Sequence, residues 1–255
     1  MGRKPKFKTG DVIELKQTTV EILDYVDYRN ILVIPISGNF SDTAHEYWTT
    51  NHNIQHKRST TPFDLTVHGV GYRGIGMYKD ERIYTRWVNM LKRCYSQFSD
   101  TYYEDVFVNK NWHNFQNFAE WYSENYVEGF VLDKDLLSDS REYSENTCCF
   151  IPGEVNTAIV LSYKGRIDEY SKLPVGVFYC KQTGKYSAKC GTRHNAKWGG
   201  RHSTINAAFT KYLEMKNSQL MALADKFKDQ LPDHVYTALC GFTDKRISIQ
   251  YDGYE

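Results

Sequence analysis

The sequence predicts an α+β protein of three small modules: an N-terminal β-barrel, a central ββα module with helices, and a C-terminal three-stranded sheet with a helix. Three observations carry this prediction. Strand-like runs crowd residues 12–36 and 175–200. Apolar residues recur at helical spacing in 81–95, in 112–126 and after Thr204. Charge is segregated, although the net charge is only +1. Tyr170–Leu213 carries eight Lys/Arg and no acid, and Ala119–Asn146 carries eight Asp/Glu against two basic residues. Arg82–Arg93 adds four basic residues and no acid. Such segregation suits surfaces with different partners, phosphate for the basic one and a hard cation for the carboxylates. Two solvated faces of opposite sign are the plainer reading.

Composition narrows the class. The 255 residues are 41% hydrophobic and 25% charged, which is ordinary for a globular chain. The longest apolar run, Ile31–Ile36, is too short to cross a membrane. The basic start, MGRKPKFKTGD, lacks the apolar core of a secretory signal. Six cysteines without a CxxC pair read as buried apolar positions rather than a disulfide scaffold or a zinc site. The expectation is a cytoplasmic protein with no membrane partner.

The elements follow in order. VIELK, VEILDY and ILVIPI, with a turn at Asp27–Asn30, predict three close strands and a small SH3-like barrel over 8–75. Residues 37–62 are polar without a period, so His45, His52 and His56 read as solvated loop residues. Gly69, Gly71 and Gly74 spell GxGxxG. No buried parallel strand follows, so they read as a flexible, close-packed junction rather than a dinucleotide site. Residues 81–95 predict a helix with Ile83, Trp87, Met90, Leu91 and Cys94 on one face. Arg82, Arg86, Asn89 and Arg93 share the other face, where a phosphate backbone or solvent would lie. Trp112, Phe115, Phe118, Ala119 and Tyr122 predict a second core helix, ended by Gly129.

The acidic centre comes next, within a second module at 76–165. Phe130–Leu132 predicts a strand running into Asp133; Thr147–Ile151 predicts its partner, and Pro152 opens a helix carrying Asn156. A hairpin and helix can aim Asp133 and Asn156 at one point, and oxygen donors of that kind suit Mg²⁺. A solvated acidic hairpin is the alternative.

The segment Trp87–Asn156 resembles phage-encoded HNH endonucleases of the homing type, through YTRWVNMLKRCY, YYEDVFVNKNWHNFQNF, LDKD and YSENTCCFIPGEVN. The resemblance implies Asp133 and Asn156 as Mg²⁺ ligands. It places Asn146 where the family has the asparagine that orients its catalytic histidine. Lys134 stands where that histidine would be, completing the candidate set Asp133, Lys134, Asn146 and Asn156. An ordinary lysine cannot take a proton near neutral pH. The implied scaffold is therefore that of a nuclease with weakened or lost cleavage. Whether it is still an enzyme stays open, since a metal-bound hydroxide or His113 could replace the missing base.

VGVFYC and KYSAKC predict two strands joined at Gln182–Gly184, with a third near Lys197–Gly200. A helix follows from Thr204, with Ala207, Ala208, Tyr212 and Met215 inward. This third module, 170–231, resembles the plant Apetala (ethylene-response-factor-like) DNA-binding domain, also appended to phage HNH proteins. The matching features are Gly176–Val177, GKYSA, KWGGRHST and Ala207–Ala208. The resemblance implies a sheet lying in the major groove of double-stranded DNA. Its candidate contacts are Lys181, Lys185, Lys189, Arg193, Lys197, Trp198 and Arg201. Arg82, Arg86 and Arg93 are further DNA-binding candidates. A helix over 218–231, a short helix after Pro232 and a strand at RISIQYDGY complete the chain, with 232–255 as an extension.

Two functions are expected. One is a phage-encoded DNA-binding protein in the host cytoplasm, on an HNH endonuclease-like scaffold that nicks DNA with Mg²⁺ if it still acts. The other is a non-enzymatic interaction factor that modulates a host protein.

Overall fold

Val20 and Ile22 alternate inward along one strand, and Ile31 and Val33 along the next, burying a single face between them. The computed structural model describes residues 6–56, 59–97, 105–163, 173–191 and 195–242, apart from the side chains of 160–163. The fold is α+β with several small sheets. The chain forms two compact units, 1–124 with 141–144 and 125–140 with 145–255.

In the first unit, strands β1 (Val12–Glu14), β2 (Thr18–Asp27), β3 (Asn30–Gly38) and β4 (Tyr47–Thr49) form an antiparallel sheet in sequence order. The hairpin between β2 and β3 closes at Asp27, whose carboxylate accepts from the Arg29 and Asn30 amides. The expected barrel does not form: among the described residues β1 and β4 do not pair, and the sheet stays open. Part of the polar stretch is also regular. Thr50 caps a short helix, α1 (Asn51–Gln55), because Ile54 enters the core beside Phe63 and Tyr72. Beneath the sheet the buried Asp64 carboxylate accepts from the hydroxyls of Thr18 (2.6 Å) and Thr61 (2.5 Å).

Helix α2 (Glu81–Tyr95) has the sequence-predicted limits. Asp80 caps two of its amides, and Glu81 and Arg93 suit its dipole. Trp87, Met90, Leu91 and Cys94 are buried. The glycine-rich stretch packs here: a β-carbon on Gly71 would lie 2.5 Å from Leu91 and 2.9 Å from Trp87. Strand β5 (Phe107–Val108) and a 3₁₀ turn precede helix α3 (Phe115–Asn125). The Trp87 indole donates to the Trp112 carbonyl at 2.7 Å, joining α2 to the turn before α3. Full burial of such rings contributes about 1.5–3 kcal/mol each.

Near the start of the second unit Gly129, at φ +81°, lies in the turn leading into β6 (Phe130–Asp133). A short strand β7 (Glu142–Tyr143) returns to the first unit and pairs in parallel with β5. Strand β8 (Cys149–Pro152) pairs antiparallel with β6, and helix α4 (Gly153–Tyr163) follows at once. This is the expected strand–loop–strand–helix order. Strands β9 (Val177–Cys180), β10 (Lys185–Cys190) and β11 (Lys197–His202) form an antiparallel sheet with β10 central.

Thr204 caps helix α5 (Ile205–Phe227), which packs on that sheet. Its buried stripe is Ala208, Phe209, Tyr212, Lys216, Leu220 and Ala224, whereas Ala207 faces solvent, contrary to expectation. The separate helix expected at 218–231 is the continuation of α5, whose stripe runs on unbroken. Lys216, fully buried, donates to the Ala158 carbonyl of α4 at 3.0 Å and to Gln219 at 3.0 Å. Helix α6 (Asp233–Cys240) follows Pro232, and RISIQYDGY lies outside the described residues.

Candidate nucleic-acid interface

Directly opposed residues of an antiparallel pair share a face, so the register of β9–β11 sorts its side chains. Phe178, Ser187 and Arg201 form one outward row, and Lys189 and Trp198 the next. Cys180 and Lys185 form a third. The opposite face carries Val177, Ala188 and Cys190, buried under α5.

The outward rings are unusually bare, Trp198 being 63% exposed and Phe178 49%. Lys189 Nζ lies 5.4 Å from the Trp198 ring centre and 5.7 Å from that of Phe178. The cation thus rests against two aromatic faces, an arrangement that orders it without neutralising it. Phe178, Cys180, Ser187, Trp198, Gly200 and Arg201 line a shallow concavity of about 520 Å³. No carboxylate stands on this face among the described residues. The Cys180 thiol is held below its ordinary value, by hydrogen bonding from Thr183 first and by Arg201 last.

Trp198 and Arg201 are three residues apart, an odd spacing that would put them on opposite faces of a regular strand. A bulge brings them together. Register jumps from Lys189↔Trp198 to Ser187↔Arg201, leaving Gly199 and Gly200 opposite Ala188. Both glycines are required. Gly200 has φ +89°, and a β-carbon on Gly199 would lie 2.6 Å from the Met215 sulfur and 2.9 Å from Ala188. The same bulge sends Lys197 to the other side, opposite the buried Cys190. Of the candidates, Lys185, Lys189, Trp198 and Arg201 therefore share the outer face. Lys181 lies exposed in the β9–β10 turn, Lys197 faces the helix side, and Arg193 lies outside the described residues. Phe178 escaped sequence reasoning because an apolar residue in a short strand reads as core. Its position next to the inward Val177 is the signal that could have found it.

On α2, Arg86 and Arg93 are exposed as expected, with Asn89 and Lys92 beside them. Arg82 is exposed too, but its guanidinium reaches the Asp80 carboxylate at 3.3 Å.

The acidic centre is more closed than its sequence suggests. Asp133 ends β6 opposite Cys149 and is only 5% exposed. Its Oδ1 accepts from the amides of Asp135 (2.9 Å) and Leu136 (2.8 Å). Burial and the Asp135 carboxylate push its pKa up to about 6, against those two hydrogen bonds. Burial, reinforced by Asp133, also raises the Cys149 thiol. Lys134 Nζ lies 2.5 Å from Asp135 Oδ1. Asn146 is exposed before β8, and Asn156 is half-buried on α4.

Mg²⁺ takes six oxygens, usually keeps several waters, and is held by one or two accessible carboxylates. Here one carboxylate is buried with an oxygen already engaged, and its neighbour is bound to a lysine. Among the described residues no three His, Cys, Asp or Glu side chains converge. This donor set fits a hydrated Mg²⁺ poorly. His113 Nε2, for its part, lies 3.1 Å from the Val108 carbonyl and 3.2 Å from the Tyr95 hydroxyl, and burial lowers its pKa.

No protein-family model matches the chain, and no curated protein or solved structure matches it either.

Proposed function

We propose that this protein binds double-stranded DNA through the outer face of the β9–β11 sheet, on a phage HNH endonuclease-like scaffold whose cutting activity has been lost. One observation carries the reading: Lys189 rests between Phe178 and Trp198, with Arg201 in the adjacent row, on a face without a carboxylate among the described residues. A guanidinium can read a guanine edge with two hydrogen bonds, aromatic rings can pack on thymine methyls, and lysines hold phosphates. The major groove admits β-strands as readily as a helix. In the first unit, the exposed Arg86, Lys92 and Arg93 of α2 are a separate candidate for phosphate contacts.

The loss of cutting is inferred from the acidic centre. By the HNH resemblance Lys134 stands in place of the general base; its ammonium rests on Asp135, and Asp133 is buried and capped by its own loop. With its pKa near 6, Asp133 is ionised at neutral pH, but its burial and its two loop hydrogen bonds keep it from an attacking water. As a phage protein it would act in the host cytoplasm.

Fluorescence anisotropy with a short duplex, over a salt series, tests the binding. The affinity should fall with a log–log slope of about −4, as for four or five phosphate contacts. A flat salt profile would overturn the proposal. Supercoiled plasmid incubated with Mg²⁺ and then deproteinised should stay intact. Nicked product would overturn the loss of cutting and leave the binding proposal standing.

A further inference from the structure

A second sheet face is bare, and its chemistry is the opposite. Inward, the β1–β4 sheet buries Val20, Ile22, Ile31, Val33 and Tyr47 in a filled core. Outward, the register sets Val12, Glu21 and Ile34 in one row and Asp24, Leu32 and Trp48 in the next. Glu14, Thr19 and Ser37 form a third. Trp48 is 56% exposed and Val12 58%, with Leu32 and Ile34 half-buried between them. Leu23 and Ile36, beside two irregularities in the β2–β3 register, are exposed as well. Exposed apolar side chains gathered on one face of a folded chain suit an interaction site. Glu14, Glu21 and Asp24 stand within it, and none of the paired outward positions holds a cation. Lys16 and Arg29 lie in the hairpin turns at the ends.

We propose that this face docks an extended, lysine- and arginine-bearing segment of a partner protein. The apolar positions take the aliphatic stems and any interleaved apolar side chains of such a segment. The Trp48 ring offers a face to one cation, and Glu21 and Asp24 pair with others. The same carboxylates repel phosphate, so nucleic acid is the wrong occupant. This surface is independent of the DNA-binding proposal, and either can fail without the other.

The test is a titration of the isotope-labelled full-length protein followed by amide shifts. One short synthetic peptide alternates arginine with leucine, and a second alternates glutamate with leucine. The basic peptide should shift amides of β1–β4 and weaken with salt, and the acidic one should not bind. Trp48→Ala, and separately the pair Glu21→Lys and Asp24→Lys, should each weaken the basic peptide about tenfold. All three side chains point outward, so far-UV circular dichroism and the urea midpoint should stay unchanged. Equal binding of both peptides, shifts confined to other strands, or no binding at millimolar peptide would overturn the proposal. So would a doubled mass in sedimentation with the same amides shifting as protein concentration rises, since the occupant would then be a second copy.

Discussion

The β1–β4 and β9–β11 sheets each turn a bare tryptophan outward, Trp48 on one and Trp198 on the other, within opposite charge. Glu14, Glu21 and Asp24 share the face of Trp48; Lys185, Lys189 and Arg201 share that of Trp198. The apolar anchor is similar in kind, and the opposite charge beside it would favour opposite partners. The sheets also differ beneath. The first rests on a buried polar knot at Asp64, and the second on glycines and alanines pressed against α5.

The largest effect should come from breaking the knot. Asp64→Ala strands the Thr18 and Thr61 hydroxyls and the Thr61 amide, which donates to Asp64 at 3.0 Å. Buried donors left without partners cost about 3–4 kcal/mol in total, read as a drop in stability on urea unfolding. A loss below about 1 kcal/mol would show the knot to be incidental.

Reversing charge on the second sheet should be nearly as damaging to binding. Lys189→Glu with Arg201→Glu should weaken duplex DNA about a hundredfold and flatten the log–log salt slope by about two. The mirror change on the first sheet, Glu21→Lys with Asp24→Lys, should leave DNA affinity unchanged or raise it. If it weakened DNA binding, the two faces would not be functionally distinct.

A third, smaller sheet sharpens the contrast, because β6 buries its carboxylate where the first sheet displays its own. Asp133 has a folded pKa near 6 against an ordinary 3.8. Between those values the native state keeps a proton that the unfolded chain has lost, so stability falls as pH rises from about 4 to about 6. Above that range the charged form carries the full cost, ~1–3 kcal/mol. Asp133→Asn keeps an oxygen for the two loop amides and removes the charge. The variant should be more stable by that amount at pH 7 and equal to the parent below pH 4, as urea midpoints would show. A destabilised variant at pH 7 would mean that the carboxylate is held by a favourable partner.

How much of this is readable without a structure depends on periodicity. Helix α2 could be drawn from its sequence to the residue, because Asp80 caps it and its apolar stripe keeps helical spacing throughout. The β6–β8 hairpin and α4 were readable for a similar reason: an apolar run meets Asp133, and a proline precedes the helix. The SH3-like barrel was over-read, since three adjacent strands specify pairing but not closure. Helix α1 was hidden because one apolar residue, Ile54, has no period. The sorting of Lys197, Trp198 and Arg201 was hidden as well. Period-two logic assumes an unbroken ladder, and the Gly199–Gly200 bulge breaks it by one residue.

That bulge supplies the mildest and most selective test of the comparison. Lys189 and Lys197 occupy adjacent strands of one sheet and carry the same charge, so net charge cannot distinguish them. The ladder does: Lys189 opposes Trp198 on the outer face, and Lys197 opposes the buried Cys190 on the helix side. Lys189→Gln should therefore weaken duplex DNA about tenfold, losing a phosphate contact and the cation between two rings. Lys197→Gln should cost less than about twofold, because it removes only long-range attraction, screened beyond about 10 Å at 0.1 M salt. Anisotropy titrations of the two variants at one salt concentration decide the matter. Equal losses would mean that overall positive charge, rather than one sheet face, holds the DNA.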